Sequence, residues 1–285
     1  MTINCSIIPP GADQRATIPQ RGAMKELLSR VQVNVPFRML FDRYAENFLV
    51  RGLNPEIGID AAALDRFSPA EFGQMAARLR DRGLTITLHG PFSDLSAGSI
   101  DPQIRAVTRH RFEQLLEVVP LFAPKTVVCH AGYDWKRYAY LLEEWLQNSV
   151  DMWRWLAQRL NLLGCRLMLE NVYENGPGEL LPLFENLKPH GVGFCLDTGH
   201  QAAFGQDPLS EWLDILGRHL GQVHLHDNHG LRDDHLALGQ GTIDFQYLFT
   251  RLKDLSDTPP VVTLEPHTEE ALDPSLAHLT SIWPW

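Results

Sequence analysis

The stretch from Arg166 to His200, RLMLENVYENGPGELLPLFENLKPHGVGFCLDTGH, shows how this chain is organised. It opens with a short apolar run at Arg166 to Glu170, continues through an amphipathic segment at Gly178 to Leu187, and returns to an apolar run at Val192 to Asp197. Short apolar runs are typical of buried parallel strands, and the longer periodic segment between them is typical of a helix. The stretch therefore predicts one strand-helix-strand unit with a carboxylate at the end of each strand.

The same alternation repeats along the whole chain and predicts eight strand-helix pairs. The predicted strands are Val31 to Val35, Glu56 to Ile59, Leu84 to His89, Thr126 to His130, Arg166 to Glu170, Val192 to Asp197, Gln222 to His226 and Val261 to Glu265. The predicted helices are Leu40 to Arg51, Pro69 to Arg82, Pro102 to Phe122, Trp135 to Leu163, Gly178 to Leu187, Leu209 to Leu216, Phe245 to Leu255 and Glu269 to Leu279. Eight such pairs favour an α/β fold, a (β/α)8 TIM barrel formed by residues 31–285 as a single domain. An open doubly wound sheet is the alternative, but it usually has a glycine-rich phosphate turn after its first strand, and Phe37-Arg38-Met39-Leu40 contains no glycine.

Local signals support several of these boundaries. Ser68-Pro69-Ala70-Glu71 has the pattern of a capping box with proline in the first helical turn, and Asp101-Pro102 repeats the cap and the proline. Gly83 and Gly164 follow two predicted helices and allow each to end in a left-handed turn. Each of these signals lies where the strand pattern also predicts a helix to begin or end.

The first 30 residues do not follow the alternation. Pro9-Pro10-Gly11, Pro19 and Gly22 interrupt any periodicity before the first predicted strand. We expect residues 1–30 to form an N-terminal extension outside the barrel, and the sequence leaves open whether it is ordered or mobile. Met24 would serve equally well as the start of a complete barrel.

Composition excludes several classes of protein. The chain has 285 residues, and 25 Lys and Arg against 35 Asp and Glu give a net charge of −10. No apolar run approaches the ~18 residues of a membrane span, and no basic start leads into an apolar core, so we expect a cytoplasmic protein without membrane association. The four cysteines are sparse, which favours reduced thiols over a disulfide framework. The negative charge disfavours strong nonspecific binding to nucleic acid.

Histidine and carboxylate residues gather at the ends of the predicted strands. Because the C-terminal ends of all eight strands of a barrel open onto one face, these side chains should converge in one cleft. Their types are those of metal ligands. The residues are His89, His130, Glu170, Asp197, His200, His224, His226, Asp227, Asp233, His235 and Glu265.

Each of these residues also has a simpler explanation when it is taken alone. A strand-end histidine can be a hydrogen-bonded structural side chain, and Asp197-Thr198-Gly199-His200 can be a helix cap and turn. His224 and His226 are two apart on one strand and therefore point to the same side. We interpret Asp227 as a turn residue or as a group that orients a ligand histidine, and Cys129 and Cys195 as packed thiols. Six consecutive strands that each end in a histidine or a carboxylate nevertheless favour a metal site.

Three motifs resemble those of a known superfamily. They are Cys195-Leu196-Asp197-Thr198-Gly199-His200, Val223-His224-Leu225-His226-Asp227, and Asp233-Asp234-His235 followed by Leu236-Ala237-Leu238-Gly239-Gln240-Gly241. Together they resemble the xylose isomerase-like TIM-barrel superfamily, and most closely its endonuclease IV branch, AP endonuclease family 2. The resemblance extends from about Leu84 to Glu265.

The resemblance implies a set of metal ligands. Endonuclease IV enzymes hold three zinc ions with nine side chains, and each has an equivalent here. The implied ligands are His89, His130, Glu170, Asp197, His200, His224, Asp233, His235 and Glu265. Glu170 would be the bridging glutamate, and Glu170 and Glu265 would act in catalysis, while His226, Asp227 and Phe92 would lie around the metals or touch the substrate.

The motifs also depart from the endonuclease IV pattern. That pattern usually has a small residue or cysteine at Gly199, asparagine at His226 and a second histidine at Leu236, and Phe92 takes the place of an aromatic residue of the DNA-probing loop. Since the implied ligands are kept and the loops differ, metal chemistry carries over more safely than DNA specificity.

Two chemistries fit this ligand set. The four carboxylates carry −4, so three divalent metals would leave the site near +2, which suits a phosphodiester, whereas one metal would leave it near −2. The favoured hypothesis is a phosphoester or phosphodiester hydrolase with two or three metals, zinc before Mn, Fe or Co. The chain also resembles sugar isomerases and epimerases of the same superfamily, which implies the alternative, an enzyme acting on a sugar or sugar phosphate that holds one metal with Glu170, Asp197, His224 and Glu265 and uses the two glutamates to move protons. A non-catalytic metal-binding protein is a third interpretation.

We expect a small sugar-containing or phosphorylated substrate, with nucleic acid less favoured. The sequence does not predict the oligomeric state.

Overall fold

The structure is a computed structural model that describes residues 18–285. Cys5 and residues 1–17 of the predicted extension lie outside the described residues. Eight parallel strands close into a barrel in the order in which they follow along the chain. They are β1 Val31–Pro36, β2 Asn54–Gly58, β3 Thr87–His89, β4 Thr126–His130, β5 Arg166–Glu170, β6 Gly193–Asp197, β7 Leu220–Leu225 and β8 Val261–Leu264. The predicted single-domain (β/α)8 TIM barrel is therefore confirmed.

Helices surround this barrel. They are α1 Ile18–Leu28, α2 Phe37–Met39, α3 Ala45–Arg51, α4 Ala61–Arg66, α5 Pro69–Asp81, α6 Pro102–Phe122, α7 Trp135–Tyr138, α8 Leu142–Leu162, α9 Leu181–Leu187, α10 Thr198–Phe204, α11 Leu209–Leu216, α12 Phe245–Leu255 and α13 Glu269–Ile282. A π-helical turn, Leu40–Tyr44, joins α2 to α3, and short 3₁₀ turns occur at Pro177–Glu179, Lys188–His190 and Gly217–His219. Within the described part of the chain, no helix has the length and apolar character needed to cross a membrane.

The predicted helix starts and ends follow from local chemistry. Ser68 and Glu71 form a complete capping box at the start of α5, and the Asp101 side chain accepts from the Gln103 amide at the start of α6. Gly83 and Gly164 have φ of +75° and +72°, the left-handed conformation that glycine adopts without strain. These four boundaries agree with the sequence prediction.

Several elements differ from the sequence prediction. The strand β3 begins at Thr87 instead of Leu84, because the Thr85 amide bonds the Asn54 side chain and not a neighbouring strand. The long helix expected from Trp135 to Leu163 is divided into α7 and α8. The helices α4 and α10 are additional, since each is shorter than the segments that hydrophobic periodicity detects.

Part of the predicted N-terminal extension packs against the barrel. Residues 18–28 form α1, where Pro19 is tolerated because it lies in the first helical turn. Leu27 is 2% exposed and belongs to the core, and Met24 lies against Thr280 of α13. The segment from Met24 onward is therefore joined to the barrel by packing.

The apolar core lies between the strands and the helices that cover them. Its largest fully buried side chains include Phe37, Phe72, Phe122, Trp145, Trp153, Phe184, Trp212 and Phe249. Cys129, Cys165 and Cys195 are free and buried, as expected for packed thiols. The inside of the barrel contains polar side chains as well, because Glu56, Thr87, Gln222 and Thr263 are all buried and hydrogen-bonded to one another. This polar cluster lies beneath the open end of the barrel where the strands finish.

Candidate metal centre

The strands carry the predicted ligand side chains to one end of the barrel. His89, His130, Glu170 and Asp197 are the last residues of β3, β4, β5 and β6, His224 is the next to last of β7, and Glu265 follows β8. The other three come from nearby segments: His200 from α10, and Asp233 and His235 from the loop after β7. The structure thus brings all nine predicted ligands into one cluster.

Glu170 is the centre of this cluster. Its Oε2 lies 3.0 Å from His89 Nε2 and 3.8 Å from His130 Nε2. Its Oε1 lies 3.2 Å from His200 Nδ1 and 3.5 Å from His224 Nδ1. His200 Nδ1 also lies 3.1 Å from the Asn171 carbonyl oxygen and is therefore a donor, so Oε2 faces His89 and His130 while Oε1 faces His224, which is the arrangement a bridging carboxylate needs.

His224 is surrounded by carboxylates. Its Nδ1 lies 3.0 Å from Glu265 Oε1 and 3.9 Å from Asp197 Oδ2, in addition to the Glu170 oxygen. On the other side of the ring, Nε2 lies 2.9 Å from Glu56 Oε1. A carboxylate can only accept, so Nε2 carries a proton and donates it to Glu56. The Nδ1 atom is buried, has no hydrogen-bond partner and faces three carboxylates, a donor set that fits a bound cation.

Glu56 is a residue of this cluster that the sequence analysis missed. It lies in the middle of β2 and is 0% exposed, whereas the analysis considered only residues at strand ends. Its carboxylate also accepts from Thr87, Gln222 and Thr263. We predicted that this strand begins at Glu56, whereas it begins at Asn54, so Glu56 is a charged residue inside a strand buried on both faces, and the predicted start hid that signal.

The side chains around Asp233 lie at the rim of the cluster. Asp233 Oδ2 is 3.1 Å from His235 Nε2 and 3.4 Å from His200 Nε2. His226, which we placed around the metals, is 1% exposed, and its Nε2 lies 3.1 Å from Asp197 Oδ1. Ligand atoms of His226, Asp233 and His235 lie within 4.8 Å of one another, but the His226 and His235 rings stack with their planes within 9°, so the two rings do not direct lone pairs to one point.

Asp227 and Phe92 have different surroundings. The Asp227 carboxylate accepts from the backbone amides of Asn228, Gly239, Gly241 and Ile243, so it organises the loop after β7 and orients no histidine. Of the two interpretations, the turn residue agrees with these contacts. Phe92 is 46% exposed and stacks on the His130 ring with the centroids 4.3 Å apart. It forms part of the cluster's open edge, where a substrate would enter.

The carboxylates control the protonation of the histidines. Burial lowers the pKa of His200 and His224, but the neighbouring negative groups outweigh it and raise both values well above the usual range. Burial raises the pKa of Glu170, and the surrounding imidazoles, His224 first, reverse this and lower it well below the usual range. For His130 burial dominates and lowers the pKa to about 3, so this imidazole is neutral. Metal binding must therefore displace protons from some of these rings.

Comparisons with known proteins agree with this architecture. The family model described as xylose isomerase-like TIM barrel matches residues 55–282. The uncharacterized protein MJ1311 of Methanocaldococcus jannaschii is 29% identical over 185 residues, which are 62% of this chain and 63% of that protein. A protein named probable endonuclease 4 from Mycobacterium leprae is 26% identical over 189 residues, 61% of this chain and 71% of that protein.

Solved structures extend the likeness to most of the chain. The TTHB071 protein from Thermus thermophilus, in a structure from soaking with ZnCl2, is 26% identical with a TM-score of 0.75, covering 89% of this chain and 98% of that one. A protein described as D-tagatose 3-epimerase-like is 22% identical with a TM-score of 0.74, covering 89% and 96%, and at that identity the likeness concerns the fold.

Proposed function

The chain belongs to the xylose isomerase-like TIM-barrel family, and we propose that within it this protein is a hydrolase that cleaves phosphoester or phosphodiester bonds with two or three divalent metal ions. The observation that supports the proposal is the position of Glu170. Its Oε2 lies 3.0 and 3.8 Å from His89 and His130, and its Oε1 lies 3.5 Å from His224 Nδ1, which Asp197 and Glu265 also approach. A site for one metal held by Glu170, Asp197, His224 and Glu265 would use only Oε1 and would not need the two histidines at Oε2.

The residues divide into three groups that would each hold an ion. His89 and His130 share Glu170 as the first, and Asp197, His224 and Glu265 share it as the second. Asp233 and His235, with His200, form the third at the rim. When bound, zinc or a similar ion activates water near neutral pH and offsets the charge on a phosphate and its leaving group.

Charge arithmetic supports a phosphodiester substrate best when three ions are bound. The four carboxylate ligands carry −4, and ionised Glu56 behind His224 makes this −5. One divalent ion then leaves −3, two leave −1, and three leave +1. A site with three ions attracts a phosphodiester, and a site with one ion repels it.

The chain's own residues would carry out the remaining work. Glu170, buried and with a lowered pKa, is ionised and in position to orient the attacking water. Phe92 and the neutral His130 ring line the open edge and would contact the substrate beside the reacting phosphorus. The sugar-containing or phosphorylated substrate is a proposal on the same grounds, with nucleic acid less favoured because of the net charge of −10.

Metal content followed by an activity screen tests the proposal. Protein purified without chelator should contain two or three ions per chain by elemental analysis, and His89→Ala should lose at least one of them. An aryl phosphodiester, sugar phosphates and a duplex with an abasic site would then be screened. Glu170→Gln should reduce turnover about 10²- to 10⁴-fold, while the exposed Glu117→Gln serves as the control. Full activity of Glu170→Gln would end the proposal.

A sugar isomerase or epimerase is the second candidate, and one feature favours it. Glu170 and Glu265 both approach His224 Nδ1, at 3.5 and 3.0 Å, so two carboxylates flank one inner site and could exchange protons with adjacent sugar carbons. In this interpretation the other histidines contact sugar hydroxyls. One ion per chain, unaffected by His89→Ala, together with turnover of a ketose or its phosphate, would favour this function over hydrolysis.

A further inference from the structure

The loop after β5 presents an exposed tyrosine at the open end of the barrel. Tyr173 is 56% exposed, whereas Val172 and Glu174 on either side of it are buried. The Glu174 carboxylate turns inward and accepts from the Val172 amide at 2.6 Å, which closes a tight turn with Tyr173 at its tip. The turn therefore directs one aromatic side chain out of the loop.

Hydrogen bonds hold this loop on both sides of Tyr173. On the N-terminal side, Asn171 exchanges two hydrogen bonds with the backbone of Asp197, at 2.9 and 3.0 Å. On the C-terminal side, the Asn175 carbonyl oxygen accepts from two backbone amides shortly after α10, at 2.7 and 3.2 Å. A tyrosine ring on a fixed loop offers a large contact area and loses little conformational entropy when a ligand binds.

Contacts between rings connect Tyr173 to the candidate metal centre. The Tyr173 and Phe204 centroids lie 5.1 Å apart. Phe204 in turn stacks on the His200 ring, with centroids 5.9 Å apart and planes within 25°. His200 and Phe204 are four residues apart in α10, so they lie on the same face of that helix. Since His200 is one of the proposed ligands, the Tyr173 ring is two ring contacts away from it.

The row of rings continues from His200 to Phe92. The His130 ring approaches the His200 ring edge to face, with centroids 6.3 Å apart, and Phe92 stacks on His130. An exposed aromatic side chain thus lies at each end of the row, and two proposed metal ligands lie in its middle. Aromatic side chains around a few polar or metal-binding groups are typical of sites that bind small molecules containing rings.

We propose that Tyr173, supported by Phe204, binds a ring that the substrate carries beside its phosphate. The inference rests on the proposed hydrolase function and names its substrate class, the phosphoester of a sugar or a nucleoside. Both kinds of ring present a flat face that an aromatic side chain can contact, while the metal ions bind the phosphate. Tyr173 would select the substrate and would take no part in breaking the bond.

Equilibrium binding to the zinc-loaded protein tests this assignment. Methyl phosphate reports the affinity of the ions alone, ribose phosphate adds a sugar ring, and thymidine monophosphate adds a base. We expect the wild type to bind a ligand with a ring at least about 5-fold more tightly than methyl phosphate by calorimetry. Tyr173→Ala should remove this preference and Tyr173→Phe should keep it. Tyr140→Ala, which removes a fully exposed tyrosine that is not one of these rings, is the control and should match the wild type.

The three ligands also identify the ring and separate the two ways to fail. A preference already present with ribose phosphate supports a sugar subsite, and one present only with thymidine monophosphate supports a base subsite. Equal wild-type affinity for all three ligands, or a preference that Tyr173→Ala retains, overturns the inference and leaves the hydrolase function standing. If the zinc-loaded wild type binds none of them, the phosphoester function itself is overturned, and the inference with it.

Discussion

Replacement of Glu56 by glutamine should lower both the zinc affinity and the folding stability, and the two effects can be measured separately. The Glu56 carboxylate is fully buried and receives five donors. His224 Nε2 and Asn34 Nδ2 lie 2.9 and 3.5 Å from Oε1, and Thr87, Thr263 and Gln222 approach Oε2. Glutamine has nearly the same volume but only one acceptor oxygen.

Either orientation of the glutamine leaves a conflict. If the oxygen of the new glutamine faces His224, the amide hydrogens of that glutamine face the amide hydrogens of Gln222. If the oxygen faces Gln222 instead, the amide hydrogens face the proton on His224 Nε2. One buried donor then has no acceptor, which should cost about 1–3 kcal/mol of folding stability. The lost negative charge also makes His224 a weaker ligand, and changes of this kind typically reduce metal affinity 10- to 100-fold, or about 1.4–2.8 kcal/mol.

Chelator competition and urea unfolding measure the two effects separately. Thr87→Val is the matched control, because it removes one buried hydrogen bond to Glu56 and keeps the carboxylate. We expect both variants to lose stability and only Glu56→Gln to lose zinc affinity by tenfold or more. Wild-type zinc affinity in a destabilised Glu56→Gln protein would refute the reasoning and leave Glu56 a purely structural residue.

Further predictions concern protons, the core and the open edge. Zinc affinity should rise with pH and binding should release protons, because the raised pKa values of His200 and His224 leave these rings protonated at neutral pH without metal. Calorimetry in buffers of different ionisation heat would detect the released protons. A zinc affinity that does not change between about pH 6 and 8 would contradict the prediction. The lowered pKa of Glu170 contributes stability above its unfolded pKa of about 4, so metal-free protein should lose that contribution as the pH falls through the folded value. Phe37→Ala should cost about 3–5 kcal/mol in urea unfolding without changing the zinc content, because Phe37 is fully buried. Phe92→Ala should change the melting temperature little and raise KM roughly 2- to 10-fold, since the ring is 46% exposed at the open edge; an unchanged KM would exclude a substrate contact.

The ends of the strands were the most predictable part of this protein. In a closed parallel barrel every strand is buried on both faces, so its apolar run is continuous, and the first polar residue after it marks the open end. That rule located His89, His130, Glu170 and Asp197 at their positions in the structure. It also excluded Glu56, which lies in mid-strand and whose role depends on its distance to His224, 168 positions away along the chain.

The loop after β7 shows a different limit. Asp233 and His235 could be identified from their motif, but the loop's shape depends on Asp227, whose carboxylate binds backbone amides at positions 228, 239, 241 and 243. Backbone amides occur at nearly every position, so the sequence does not show which of them a carboxylate will bind. From the sequence, Asp227 therefore could not be distinguished from a carboxylate that orients a histidine. Likewise, Gly199 and His226 appear in the sequence as two separate departures from a motif, and only their overlap in space makes them one feature.

The orientation of the imidazoles favours metal binding over direct sugar recognition at this site. A histidine that binds a sugar hydroxyl needs one nitrogen open to the substrate, and no other ring or carboxylate has to converge on that nitrogen. Here His89 Nδ1 bonds the Gly90 carbonyl oxygen at 2.9 Å, and His200 and His235 bond backbone carbonyl oxygens in the same way. Each then directs its second nitrogen to a carboxylate of the cluster, Glu170 or Asp233, at 3.0–3.4 Å. Because a neutral imidazole lone pair and a carboxylate repel each other, this arrangement needs a proton or a cation between them, and at a pH above the histidine pKa values only the cation remains.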